Sequence, residues 1–225
     1  MIVFGHQTQT AAARETLCVM ALRMKLTLVE KIMDESIIDY ISKFIELSED
    51  EKKIINGQNV FRKYKKNEIL LSEGNYAKDC YFIIKGCVRT YYNKDGEDRN
   101  TDFFFENQTI RPFSYQTKQP SEYYLACVED CVICIGNDAR NQKLIEQVPK
   151  LSLLISQMNE NLLLQKTLEL NNFKINSPEE RYLGLLENKP ELLNRIPMYH
   201  LASYLGITAI SLSRIRNRIL QKRNV

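Results

Sequence analysis

The period of apolar residues changes twice along the chain. Between residues 27 and 58, Leu28, Ile32, Ile37, Ile41 and Phe44 recur at helical spacing. Ser48-Glu49-Asp50-Glu51 then reads as a capping box that opens a second helix through Ile54 and Ile55. From Val60 the period shortens. Val60–Tyr64, Glu68–Leu71, Cys80–Lys85, Cys87–Tyr92, Asn100–Phe105, Tyr123–Val128 and Cys131–Ile135 are short β-rich runs. Turn signals separate them at Lys66-Asn67, Glu73-Gly74-Asn75, Gly86, Lys94-Asp95-Gly96 and Gln119-Pro120. Many short strands without long helices predict a sandwich or barrel. At Pro149 the pattern turns helical again and stays so to about Phe173.

That last helix has two apolar faces. Leu151, Ile155, Met158 and Leu162 sit at 4-3-4 spacing, the seam of a two-helix contact, and are expected to hold a homodimer. Leu153, Leu154, Leu163 and Leu164 fill a second face, so one side can cover the β-rich part while the other meets a partner. Ser177-Pro178-Glu179-Glu180 is the next helix start, with Ser at the cap, Pro at the first position and Glu at the third. The helix carries Tyr182, Leu183, Leu185 and Leu186 and stops before Pro190. The expected units are a loosely ordered extension (1–23), a sensor domain (24–148), a dimerisation helix (149–175) and a terminal domain (176–225). Met20 and Met24 offer alternative starts within or after the extension.

The terminal domain carries the chemistry. Residues 196–219 have the spacing of a helix-turn-helix. Ala202 is the small residue where the helices cross, and Gly206 is the turn residue four positions later. Ile207 follows the turn, and Thr208 caps the second helix. Leu201, Leu205, Ile207, Leu212 and Ile215 are spaced to form a small core, and His200 reads as a surface residue of the first helix. The polar side of the second helix is the candidate DNA-binding surface: Thr208, Ala209, Ser211, Ser213, Arg214, Asn217 and Arg218. Side chains of these types suit base edges and phosphates.

Charge strengthens that reading. The formal net charge is only +3, but residues 174–225 hold nine lysines and arginines against four acids. From Thr208 onward there are five basic residues and no acid. A basic end after a near-neutral body points to a polyanion such as double-stranded DNA. The rest of the composition mainly excludes. No run of about 18 apolar residues is present, which argues against a membrane span. Two histidines, His6 and His200, make a His-rich metal site implausible. Cys131 and Cys134 lie in a strand and point to opposite faces, so buried reduced thiols are the first reading and a metal or redox pair the lesser one. Reduced thiols imply a cytoplasmic protein. No paired histidine and nucleophile, phosphate-binding glycine loop or metal spacing suggests an enzyme, and no cofactor is implied.

Several ordered motifs resemble the Crp/Fnr regulators. Residues 64–74 look like the opening of that family's cyclic-nucleotide-binding-type β-roll. Residues 81–89 look like its strand-Gly-strand signature, and Ala126–Cys131 like its later strand pair. Glu180-Arg181-Tyr182, residues 201–208 and Leu212-Ser213-Arg214 look like its DNA-binding domain. The resemblance implies an α+β fold: an N-terminal antiparallel β-roll or jelly roll, a long dimerisation helix and a C-terminal winged helix-turn-helix with a reduced wing. It also implies a homodimer on a two-fold-related DNA site, an effector pocket or protein contact in the roll, and RNA polymerase as a further partner. Relatives that bind cyclic AMP place an arginine on the phosphate; here that position is read as Ser121, with Glu122 adding negative charge. Cyclic AMP and cyclic GMP are therefore not expected. Tyr115, Tyr123 and Tyr124 are the candidate lining of a pocket for an uncharged or aromatic effector, with Arg111 and Lys118 in a nearby loop. Ala209 and Ile210 stand where relatives often carry charged or polar base readers. The alternative reading is a ligand- or protein-interaction module without specific DNA binding.

Overall fold

The computed structural model describes residues 37–223. The expected extension 1–23, with His6, Cys18 and Met20, and the expected helical residues Leu28 and Ile32 lie outside those residues. Residues 37–42 are helical (α1), and Glu49–Gln58 form α2, opened by the expected capping box at Ser48 and Glu51.

Eight strands follow: β1 (Phe61–Tyr64), β2 (Ile69–Leu71), β3 (Cys80–Lys85), β4 (Val88–Lys94), β5 (Glu97–Phe104), β6 (Thr109–Ile110), β7 (Tyr124–Cys127) and β8 (Cys131–Gly136). They make two antiparallel four-stranded sheets, ordered β1-β8-β3-β6 and β2-β7-β4-β5. The inward faces meet in one core that includes Leu71, Tyr81, Ile83, Val88, Leu125, Cys127, Cys131 and Ile133. Gly86 makes the turn between β3 and β4 at φ +106°, and a Cβ there would lie 2.5 Å from the Cys131 sulfur and 2.9 Å from the Asp130 carbonyl. Only glycine allows this backbone and this closeness.

Along β8 the residues alternate between buried and half-buried, as a strand pleat requires. Cys131 therefore enters the core between the sheets. Cys134 faces the opposite side, under the helices. That outer face of the first sheet is covered by α1, α2, α4 (Asp138–Gln147) and the start of α5 (Lys150–Ile175), through Ile37, Ile38, Ile55, Val148, Leu151 and Leu154. Burial pushes the Cys80 thiol up to about 11 and raises that of Cys87 as well, so both are protonated and inert at neutral pH.

Three elements depart from expectation. The stretch around Arg111 and Lys118, read as loop, contains β6 and a short helix α3 (Phe113–Thr117). α4 stands where no element was expected; Asn137 caps it, its side-chain oxygen accepting from the Arg140 N–H at 3.0 Å. After α6 (Pro178–Asn188), a further helix α7 (Pro190–Arg195) precedes α8 (Met198–Tyr204) and α9 (Ala209–Arg223). Among the described residues no helix is long and apolar enough to cross a membrane.

Candidate nucleic-acid interface and its docking to the roll

α8, the turn and α9 form a helix-turn-helix. Ala202 is buried at the crossing, and Leu201, Leu205, Leu212, Ile215 and Ile219 make the core, with Tyr182 and Leu185 of α6 packed beneath. Ile207 is half-buried at its edge. Gly206 N–H bonds to the Ser203 carbonyl, and its φ of +72° turns the chain so that Ile207 N–H reaches the Ala202 carbonyl. Thr208 caps α9, its hydroxyl accepting from the Ser211 N–H at 3.2 Å.

The buried stripe Leu212, Ile215 and Ile219 fixes which way α9 faces. At about 100° per residue, the side opposite the core holds Ile210, Ser213, Arg214, Asn217 and Gln221. All five are exposed. The candidate residues thus divide. Ser213, Arg214 and Asn217 stand together on the outward face, and no hydrogen bond or ion pair engages their side chains among the described residues. Ala209 lies on the flank toward Met198, and Arg216 donates to the Met198 sulfur at 3.0 Å on that same flank. Ser211 and Arg218 lie on the flank toward α6. Arg218 and Lys222 both pair with Glu179, at 2.5 and 3.2 Å. Ile210 and Gln221 complete the outward face and were not among the sequence candidates. The helical wheel around Leu212 would have found them.

The head formed by α6–α9 is docked on the second sheet of the roll. α8 lies across β5, with Tyr204 edge-on to Phe103 at 5.4 Å. At the centre is a polar cluster around His200, which corrects its expected place on the surface: it is only 6% exposed. Arg89 of β4 donates to Asp98 Oδ2 at 2.7 Å and to Asn100 Oδ1 at 2.9 Å, and stacks on the Tyr91 ring at 3.8 Å. Because the Asn100 oxygen accepts from Arg89, its amide nitrogen faces His200 Nδ1 at 3.2 Å. Arg89 approaches the same Nδ1 at 3.2 Å. Two donors converging on one ring nitrogen require it to be the acceptor, so the proton sits on Nε2 and the ring is neutral. Burial, with the nearby Arg89 charge, lowers its pKa to about 4. Ser203 closes the cluster, accepting from Asn100 N–H at 2.9 Å and donating to the Asp98 carbonyl at 2.8 Å.

Two ionic contacts flank this cluster. Arg195 of α7 grips Glu106 through both guanidinium nitrogens at 2.8 and 2.9 Å, and also contacts Glu129. Burial opposes charge on Glu106, but the bonds from Arg195 and from the Gly86 N–H outweigh it and hold the carboxyl at about 2. Lys166 of α5 meets Asp102 at 2.5 Å and Glu169 at 2.9 Å, and Lys189 meets Glu169 at 2.6 Å. Arg181 joins helix to head differently: it donates to the carbonyls of Phe173, Asn176 and Leu205 and lies over the Phe173 ring.

On α5, Leu151 is corrected from the expected seam. It is 3% exposed and packed inside its own chain, beside Val148 and Leu154. Met158 leans on the same cluster. Ile155 and Leu162 remain open, as do Leu153, Leu163, Leu164, Leu168 and Leu170.

The three tyrosines do not line one pocket. Tyr115 and Tyr123 are both in the core of the roll, while Tyr124 faces the other way and stacks on Tyr91 at 5.0 Å. Their hydroxyls serve the backbone: Tyr123 accepts from Phe113 N–H at 3.0 Å and Tyr115 from Asp138 N–H at 2.5 Å. Arg111 pairs with Asp138, and Lys118 lies over the Tyr115 ring. Ser121 is buried and tied by main-chain bonds to Gly74 and Asn75.

Residues 61–147 match the family described as cyclic nucleotide-binding domain. The solved structure of the c-di-GMP responsive global regulator CLP of Xanthomonas campestris superposes at TM-score 0.61 and 17% identity, over 78% of this chain and 93% of that one. FixK2 of Bradyrhizobium japonicum gives 0.60 at 17% identity, over 73% and 85%. A CooA mutant from Carboxydothermus hydrogenoformans gives 0.59 at 16%, over 81% and 83%. No curated protein sequence matches the chain. The class is therefore defined by a cyclic-nucleotide-binding-type roll joined through a long helix to a helix-turn-helix head. That is the fold of the Crp/Fnr transcription regulators, and the resemblance read from the motifs holds at that level.

The neutral ring of His200 makes docking sensitive to acid. In an unfolded chain His200 takes up a proton near its ordinary value of 6.5, whereas the folded chain resists protonation down to about 4. The stability it supports is present above pH 6.5 and is lost as pH falls through that window. His200→Asn keeps an acceptor but does not titrate there. Its melting temperature should fall less between pH 6.5 and 4.5 than that of the wild type. Parallel pH profiles would show that His200 titrates normally in the fold.

Proposed function

We propose that this protein is a sequence-specific, DNA-binding transcription regulator that works as a homodimer on a two-fold-related site. The observation that carries the reading is the outward face of α9. The flanking cations Arg218 and Lys222 are engaged by Glu179, whereas Arg214, Ser213 and Asn217 are left open together. A helix-turn-helix places this face in the major groove, where arginine and asparagine read base edges. Their pairing gives the two arginines different tasks: Arg214 is open, whereas Arg218 is held by Glu179. Arg214 reads, whereas Arg218, at the edge toward α6, is placed for phosphate.

The dimer reading rests on α5. Its 26 residues extend about 39 Å. The early part turns Leu151 and Leu154 into the roll, Met158 leans on the same cluster, and beyond Met158 the leucines are open to water. Exposed leucines at this density mark an interaction face. Ile155, Met158 and Leu162, with Leu163, form the proposed seam. A parallel pair would set the two reading helices about 34 Å apart, one DNA turn.

The effector, on this reading, is not a cyclic nucleotide. A buried phosphate needs a fixed cation and free donors. The N–H groups of Phe113 and Asp138 already bond to tyrosine hydroxyls, Arg111 is paired with Asp138, and Ser121, which the resemblance reads at the arginine position, is buried with its N–H on Asn75. The same packing leaves an unknown effector, or a protein contact such as RNA polymerase, as the source of regulation.

Selection from a random duplex pool should yield a symmetric site. Arg214→Ala should weaken binding to it by about 1–3 kcal/mol. Unchanged affinity with the fold intact would remove Arg214 from the interface, and failure to enrich any sequence would refute specific DNA binding. Light scattering at micromolar concentration should give a dimer for the wild type and a monomer for the double variant Leu162→Glu/Leu163→Glu. A monomeric wild type, free and with DNA, would sink the assembly. Calorimetric titration with cyclic AMP and cyclic GMP should show no micromolar binding; heat at that level, together with tighter DNA binding, would overturn the effector reading.

A further inference from the structure

Ile210 is the anomaly on the outward face of α9. It is 67% exposed and lies directly opposite the buried stripe of Leu212, Ile215 and Ile219. The core does not need it, since that stripe and Ala202 complete the crossing of the two helices. Its neighbours on the same face are Ser213, Arg214 and Asn217, all exposed and polar. A branched aliphatic side chain set among open polar groups gains nothing in water. It gains only if its partner surface offers an apolar group at that point.

The partner's chemistry narrows what that group is. From Thr208 onward the chain has five basic residues and no acid, which suits a polyanionic duplex. Phosphates and sugars offer a branched alkyl group no specific match. Among base edges in the major groove, the apolar feature is the C5-methyl group of thymine. We propose that Ile210 is a specificity-determining residue that reads a thymine methyl. This rests on the DNA-reading role of α9 and deepens it.

Geometry also places the thymine. Arg214 follows Ile210 by four residues, so the two point to the same side about 6 Å apart along the helix axis. Stacked bases rise about 3.4 Å each. The thymine therefore lies within about two base pairs of the base pair that Arg214 contacts. Arginine pairs most often with guanine. The half-site core should contain a guanine and, within two positions, a thymine on either strand.

The test uses the full chain and the site selected from the random pool. Each thymine of the half-site is replaced in turn by deoxyuridine, which removes only the methyl group. One position, symmetric in the two half-sites, should weaken wild-type binding about fourfold per half-site, the effect of about one buried methyl. Ile210→Ala should bind thymine and deoxyuridine at that position equally, while Ile210→Val should still distinguish them. Where the thymine is exchanged for cytosine, 5-methylcytosine should bind wild type better than cytosine does. If the wild type is indifferent to deoxyuridine everywhere, yet binds its site and responds to Arg214→Ala, the Ile210 proposal fails and DNA reading stands. An Ile210→Ala variant that still distinguishes thymine from deoxyuridine also overturns it. If no site can be selected at all, both readings fall.

Discussion

The arrangement of the molecule depends on the guanidinium of Arg89. It comes from β4 of the roll, is nearly buried, and meets Asp98, Asn100 and His200 while lying flat on Tyr91. A desolvated cation of this kind is tolerated only when its donors are answered. The answer comes from both sides of a domain boundary: Asp98 and Asn100 from β5, His200 from α8. Withdrawing the head would leave Arg89 with part of its partners and strip His200 of both donors. Non-directional apolar contact, such as that of Tyr204 with Phe103, makes the docking favourable, while the polar cluster gives it one register.

The helix α5 performs three kinds of packing in sequence. Its start is part of the roll's outer core. Its middle carries leucines with no intrachain cover. Its end is bound to the head through the Phe173 carbonyl and ring, both held by Arg181. This explains why a periodicity read as a single seam was only partly correct. Leu151 has the right spacing for a partner helix, but it sits two residues after Pro149, in the first turn, where the helix is still pressed on the roll. The burial of Val148 and Leu154 on either side takes Leu151 with them.

Legibility in the sequence followed the range of the interactions. Strands bounded by Gly74, Gly86 and Gly96 were readable because a positive φ is a local demand. The capping boxes at Ser48 and Ser177 and the turn at Gly206 were readable for the same reason. α4 was not, since it buries none of its residues fully and so shows little apolar period; its only local mark is the cap at Asn137. His200 was placed on the surface because Arg89, its partner, is 111 residues away. In α9 the residue types are legible, and so are their directions once Leu212 and Ile215 are taken as the core side. Ser211 and Arg218 share the chemistry of Arg214, but the stripe of Leu212, Ile215 and Ile219 turns them toward α6, where Glu179 holds Arg218.

The attachment of the head at several separated places sets a mechanical limit. Arg181 and Lys189 gear it to the end of α5, and the Arg89 cluster and Arg195 fasten it to the roll. A body held at separated points has little freedom to swivel. On the DNA-reading proposal, such a reading head cannot follow a half-site that has been moved. One inserted base pair turns the second half-site by roughly 35° around the duplex axis. A loosely tethered head would absorb that turn in its linker, whereas this one would transmit it as torsion into α5. On that proposal, operator spacing would be a quantity the protein measures, with the stiffness of its own joints as the gauge.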